Sequence, residues 1–138
     1  MRRLLCAIVV ATTTAGLLAP AEAAAPRRPS GTYTGDGGRF TLKVTGRWIQ
    51  IAAFDFRCRG TTGRTSLNQI RIRRARGRWR FSIRMHGSVT YRDDHPDENA
   101  RVRFSGRFSP TARSAAGTFA VSAPHCGATG TVEWTARR

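Results

Sequence analysis

The sequence predicts an all-β fold: a single antiparallel β-sandwich of about eight or nine short strands, with a small β-barrel as the alternative. Three observations carry this. Apolar and polar residues alternate, most clearly in Trp79-Arg80-Phe81-Ser82-Ile83-Arg84-Met85, and in an extended chain that alternation gives one greasy face and one charged face. Glycine recurs two residues ahead of an aromatic or β-branched residue, as in Gly46-Arg47-Trp48, Gly77-Arg78-Trp79, Gly106-Arg107-Phe108 and Gly117-Thr118-Phe119. Such spacing reads as a tight turn feeding a strand. No segment after Ala25 carries a helical period.

Residues 1–23 read as a signal peptide. Met1-Arg2-Arg3 is a short basic start, the stretch from Leu4 to Leu18 is largely apolar, and Ala21-Glu22-Ala23 fits a small-x-small cleavage site. The apolar run is interrupted by Thr12-Thr13-Thr14 and Gly16 and is too short to span a bilayer, so no transmembrane segment is expected in the mature chain. The expected location is secreted or in the cell envelope. Residues 24–30, rich in Ala, Pro and Arg, read as a flexible leader, and residues 31–138 as a single β-domain.

Strands are expected at 31–34, 39–44, 48–57, 66–73, 78–86, 89–92, 100–108, 117–122 and 130–136. In the third, Ile49 and Ile51 share one parity while Phe54 and Phe56 share the other, and a β-bulge near Ala52-Ala53 would restore the phase. The inward parity assigns Phe40, Leu42, Val44, Ile49, Ile51, Phe54, Phe56, Ile70, Ile72, Trp79, Phe81, Ile83, Val102, Phe104, Phe119, Val121, Val132 and Trp134 to the core.

The whole chain carries a net charge of +16. Loss of Arg2, Arg3 and Glu22 with residues 1–23 turns 24 basic and 8 acidic residues into 22 and 7, a net +15 on 115 residues. Lys43 is the one lysine, and the rest of the basic residues are arginine. A GC-rich genome favours arginine codons, but guanidinium also pairs with carboxylate and phosphate through two parallel hydrogen bonds.

Of three cysteines, Cys6 leaves with the signal peptide, and Cys58 and Cys126 remain as an even pair in an exported chain. A disulfide between them is expected. No metal site is expected: His125 stands beside Cys126, but there is no CxxC or HxxxH spacing. No cofactor motif is present.

Several segments together carry a resemblance. Gly31-Thr32-Tyr33-Thr34-Gly35, Cys58, Phe104-Ser105-Gly106-Arg107-Phe108, Ala116-Gly117-Thr118-Phe119, Cys126 and Gly130-Thr131-Val132-Glu133-Trp134 resemble a group of small, uncharacterised exported two-cysteine β-domain proteins of GC-rich bacteria. The resemblance spans nearly all of the mature chain. It implies a two-cysteine β-domain and carries over no catalytic or binding residue.

With the apolar parity inward, Arg71, Arg73, Arg80, Arg84, Arg101 and Arg103 point outward, where neighbouring strands would merge them into a basic ridge. That ridge is the candidate site, and its expected partner is an anionic polymer or lipid surface. The same residues would equally make a solvated outer face that discourages edge pairing. Sequence-specific nucleic-acid recognition is disfavoured, because base stacking needs exposed aromatics and only Trp48 and Tyr91 lie off the apolar parity. Asp93-Asp94-His95-Pro96-Asp97-Glu98-Asn99 holds four of the seven mature acids but lacks calcium-loop spacing, and reads as a hairpin loop. Catalysis has little support: no serine lies in a G-x-S-x-G elbow, and only Asp36, Asp55 and Glu133 remain as carboxylates able to converge. The leading expectation is a non-enzymatic binding module. A protein-binding or inhibitor domain acting through its loops stands second, and a small hydrolase third.

Overall fold

Alternation at a period of two shapes the domain from end to end. The computed structural model describes residues 24–92 and 96–138; the expected signal peptide lies outside the described residues. Ten strands follow one another: β1 Gly31–Gly35, β2 Phe40–Thr45, β3 Trp48–Cys58, β4 Thr61–Arg71, β5 Arg73–Ala75, β6 Arg78–Tyr91, β7 Pro96–Phe108, β8 Ser114–Ala123, β9 Gly127–Ala128 and β10 Val132–Arg137. The segments expected at 78–86 and 89–92 are one strand, β6. A register shift at Gly87/Val89 lets it continue past Ser88, where Glu98 and Asn99 of β7 oppose a single residue.

All pairings are antiparallel and belong to one sheet in the order β10-β1-β2-β3-β4-β6-β7-β8, closed by β8 pairing with β10. Eight strands thus make a ring, with β5 appended to β6 and β9 to β8. The ring is not a clean barrel. β1 meets β10 through one residue pair, Thr34↔Arg137, and β4 meets β6 through three, from Gly63↔Tyr91 to Thr65↔Val89. These two thin seams divide the sheet into facing halves, β1–β4 and β6–β10, which pack against each other as in a sandwich.

Aromatic rings fill the space between the halves. Phe40 of β2 stacks on Trp134 of β10 at 4.4 Å between centroids, and Phe54 of β3 lies 4.5 Å from Phe119 and 5.5 Å from Phe104. The buried core also includes Tyr33, Leu67, Val89, Tyr91 and Phe108, which the sequence pattern did not single out. Ile51, assigned inward, is exposed. Lys43↔Ile51 is followed by Val44↔Ile49, so the extra residue is Gln50 and not the expected Ala52-Ala53, and the bulge turns Ile51 to solvent. Ile83 and Val132 are half-buried.

The glycine pattern has two meanings. At the β5–β6 turn, Arg76 and Gly77 both have left-handed φ, 50° and 70°, as a two-residue hairpin demands. Gly106 and Gly117 instead sit inside β7 and β8, so reading them as turns is corrected. They pair with each other in a row that runs Trp134, Gly117, Gly106, Phe81 across four strands. Without side chains there, the Trp134 indole lies over the sheet and reaches Phe81 at 6.1 Å.

The Cys58–Cys126 disulfide joins the end of β3 to the loop before β9, with Cα atoms 5.3 Å apart. Residues 27–30, expected within a flexible leader, contact the domain. The Arg27 amide donates to the Pro110 carbonyl at 2.9 Å, Pro29 is buried, and the Arg28 guanidinium lies 5.7 Å from the Trp79 ring centre.

Candidate functional site

The register of β6 against β7 builds a ladder of like charges. On their outward faces Arg80 stands opposite Arg107, Ser82 opposite Ser105, Arg84 opposite Arg103 and His86 opposite Arg101. β5 extends the row, with Arg73 opposite Arg80. Five of the six expected arginines are therefore brought together. Arg71 is not part of the ladder: it pairs with Trp48 on β3, at the end of β4 that has already parted from β6.

Parity could have found Arg107 from sequence. It continues the series Arg101, Arg103, Ser105, but the Gly106-Arg107-Phe108 pattern disguised it as a turn residue. His86 was legible in the same way.

Beside the ladder the outward face of β8 carries only small residues: Ala116, Thr118, Ala120 and Ser122. A depression of about 190 Å³ lies between these and the arginines, lined by Ser82, Arg84, Arg103, Ser105, Thr118 and Thr131. Ser105 Oγ and Thr118 Oγ1 are 3.1 Å apart on its floor. Guanidinium and hydroxyl donors thus surround a space open to solvent.

The ladder is uncompensated. Among the described residues the one ion pair is Arg64–Asp55, at 2.7 Å on β4 and β3. Like charges placed directly opposite one another are destabilising in a sheet. Arg80 adds a buried Nε without a hydrogen-bond partner.

The acidic loop splits in two. Asp93, Asp94 and His95 lie outside the described residues, while Asp97 has a structural role: its Oδ2 accepts from the Tyr91 hydroxyl at 2.7 Å and from the His125 amide at 3.0 Å. Those bonds tie the β6–β7 hairpin to the disulfide loop. Tyr91, one of two aromatics expected off the core, is buried; the other, Trp48, is exposed. Among the described residues no group of three or more His, Cys, Asp or Glu side chains is placed to hold a metal ion, and no helix is long and apolar enough to cross a membrane.

A second concavity was invisible in sequence. A cavity of about 810 Å³ opens where β3 and β6 end and β4 and β10 begin. Its floor includes Phe40, Phe56, Tyr91, Phe119 and Trp134, and Arg39, Arg57, Arg64, Arg92, Asp36, Asp55 and Glu133 stand around it. The three carboxylates considered from sequence do line one space, although Asp55 is engaged by Arg64. The opening follows from the β1–β10 seam: β1 stops at Gly35, and the chain turns through Asp36–Gly38 and leaves Val132–Trp134 of β10 without a partner from β1.

Comparison of the chain with protein-family models, curated proteins and solved structures gives no match.

Proposed function

We propose that the protein is an exported, non-enzymatic binding module whose arginine face holds an anionic envelope or extracellular polymer. The observation that carries this reading is the β6–β7 register, which sets Arg84 against Arg103 and Arg80 against Arg107 with no carboxylate paired to any of them among the described residues. A polymer with repeated negative charges would offset that repulsion. Arg101 and Arg103 stand about 6.8 Å apart along β7, Arg80 and Arg84 about 13–14 Å apart along β6, and opposed pairs about 4.8 Å apart across the strands, so a flexible polyanion can engage several at once where a lone anion engages one or two. The disulfide fits an oxidising, extracytoplasmic setting, in keeping with export through residues 1–23.

The test uses long-chain inorganic polyphosphate as the probe polymer and the purified, disulfide-bonded protein. Replacing Arg80, Arg84, Arg103 and Arg107 by Ser should weaken binding by about 100-fold, since four charge-assisted contacts are lost. Arg71→Ser, outside the ladder, should change it less than about twofold. Near-ultraviolet circular dichroism checks that both variants keep the wild-type packing. Equal losses in the two variants would reduce the ladder to general positive charge and overturn the reading.

A further inference from the structure

We infer that the cavity between β3–β4 and β10 is a second binding site, for a small organic acid with an apolar ring system. The inference is independent of the arginine ladder, which lies on the outward faces of β5–β7.

Size is the first argument. At about 810 Å³ the space falls within the range of small-molecule sites, and strands supply most of its lining, with Asp36, Arg39 and Arg92 coming from the turns beside them. An eight-stranded ring is also about the size at which side chains just fill the interior, so an unfilled end is notable. Here the aromatic layer stops at Phe40, Phe56 and Trp134 and leaves the end beyond them open.

The chemistry of the lining selects the ligand. The floor is aromatic and suits a flat apolar body. Hydrogen-bonding groups around it are weighted towards donors. Arg64 is matched to Asp55, but Arg39, Arg57 and Arg92 have no ion pair among the described residues. Three guanidinium groups call for acceptors and negative charge, not for a cation or a hydrocarbon alone. Asp36 and Glu133 on the rim would reject a ligand carrying several negative charges, which favours a single acidic group.

Two dyes separate the parts of this inference. 8-Anilinonaphthalene-1-sulfonate has an aromatic body with one negative charge, and N-phenyl-1-naphthylamine has nearly the same body without the charge. The folded, oxidised protein should bind the sulfonate at one saturable site and the neutral dye about tenfold more weakly. Replacing Arg39 and Arg57, both exposed, by Gln should weaken sulfonate binding about tenfold and leave the neutral dye unchanged. Replacing Arg84 and Arg103 by Ser should leave both dyes unchanged while polyphosphate binding falls, so failure of one site is distinguishable from failure of the other. Loss of sulfonate binding in the Arg84/Arg103 variant, no effect of the Arg39/Arg57 variant, or no saturable binding to the folded wild type would each overturn the inference.

Discussion

A methyl group at Gly106 would stand 2.5 Å from Cζ2 of Trp134 and 2.8 Å from the ring of Phe81. Neither ring can retreat, because Phe40 stacks on the far side of Trp134 and Phe104 packs on Phe81 at 4.9 Å. Gly106→Ala should therefore destabilise the fold by about 1–3 kcal/mol, the usual cost of overpacking. Urea unfolding measures it, and adding Trp134→Leu should recover part of the loss as a non-additive pair. Tyr33 makes a different demand. Its hydroxyl donates to the buried Ala112 carbonyl at 2.7 Å, and burial raises the phenol above its ordinary value of 10.0. The folded state holds that proton more tightly than the unfolded chain, so the contribution is complete below about pH 10 and is lost as pH rises through the raised value. Tyr33→Phe should cost about 1 kcal/mol at pH 8, and its stability should fall less steeply than that of wild type between pH 10 and 11.5, read from thermal melts. Sequence could not announce either role. Gly106 has the same local pattern as Gly77, and only the cross-strand row to Trp134 separates a packing glycine from a turn glycine.

The strands were legible where one face is greasy and the other charged, as in β6 and β10, because burial of alternate residues forces that period. They were not legible where pairing overrides it. β4 begins at Thr61, five residues before its apolar pattern, since the β3–β4 hairpin continues the ladder through Arg57↔Thr62 and Cys58↔Thr61 whatever the side chains are. The bulge at Gln50 was placed two residues late because sequence shows that the phase of this strand shifts but not which residue absorbs it. The site divides similarly. Parity predicts which arginines face outward, yet only register shows that Arg103 meets Arg84 and that Arg71 meets Trp48. The disulfide acts at this level too, for it holds the end of β3 against the β8–β9 corner beside the open end of the ring. With its cysteines separated by 68 in sequence, the chain-entropy model gives about 4 kcal/mol. Replacing Cys58 and Cys126 together by Ala should lower unfolding stability by about that amount and shift the urea midpoint accordingly; an unchanged midpoint would mean that the ring holds this corner without it.

Charge and shape are distributed unevenly over the molecule. One side carries the opposed arginines of β5, β6 and β7, bordered by the small side chains of β8. The end formed by β3, β4 and β10 carries the mixed-charge cavity, where the ion pair Arg64–Asp55 lies. With 8 acidic residues against 24 basic ones, most arginines lack a carboxylate partner on composition alone. What separates a binding face from a merely basic surface is multivalent, salt-dependent binding. The most direct test is the salt dependence of polyphosphate binding by the folded, oxidised protein. If Arg73, Arg80, Arg84, Arg101, Arg103 and Arg107 all engage the chain, the logarithm of the affinity should fall against the logarithm of salt concentration with a slope of about −4, on the counterion-release relation for single-stranded polyanions. The slope should relax to about −1 when Arg80, Arg84, Arg103 and Arg107 are Ser, since two contacts remain. A shallow slope in the wild type, or the same slope in both proteins, would contradict the account.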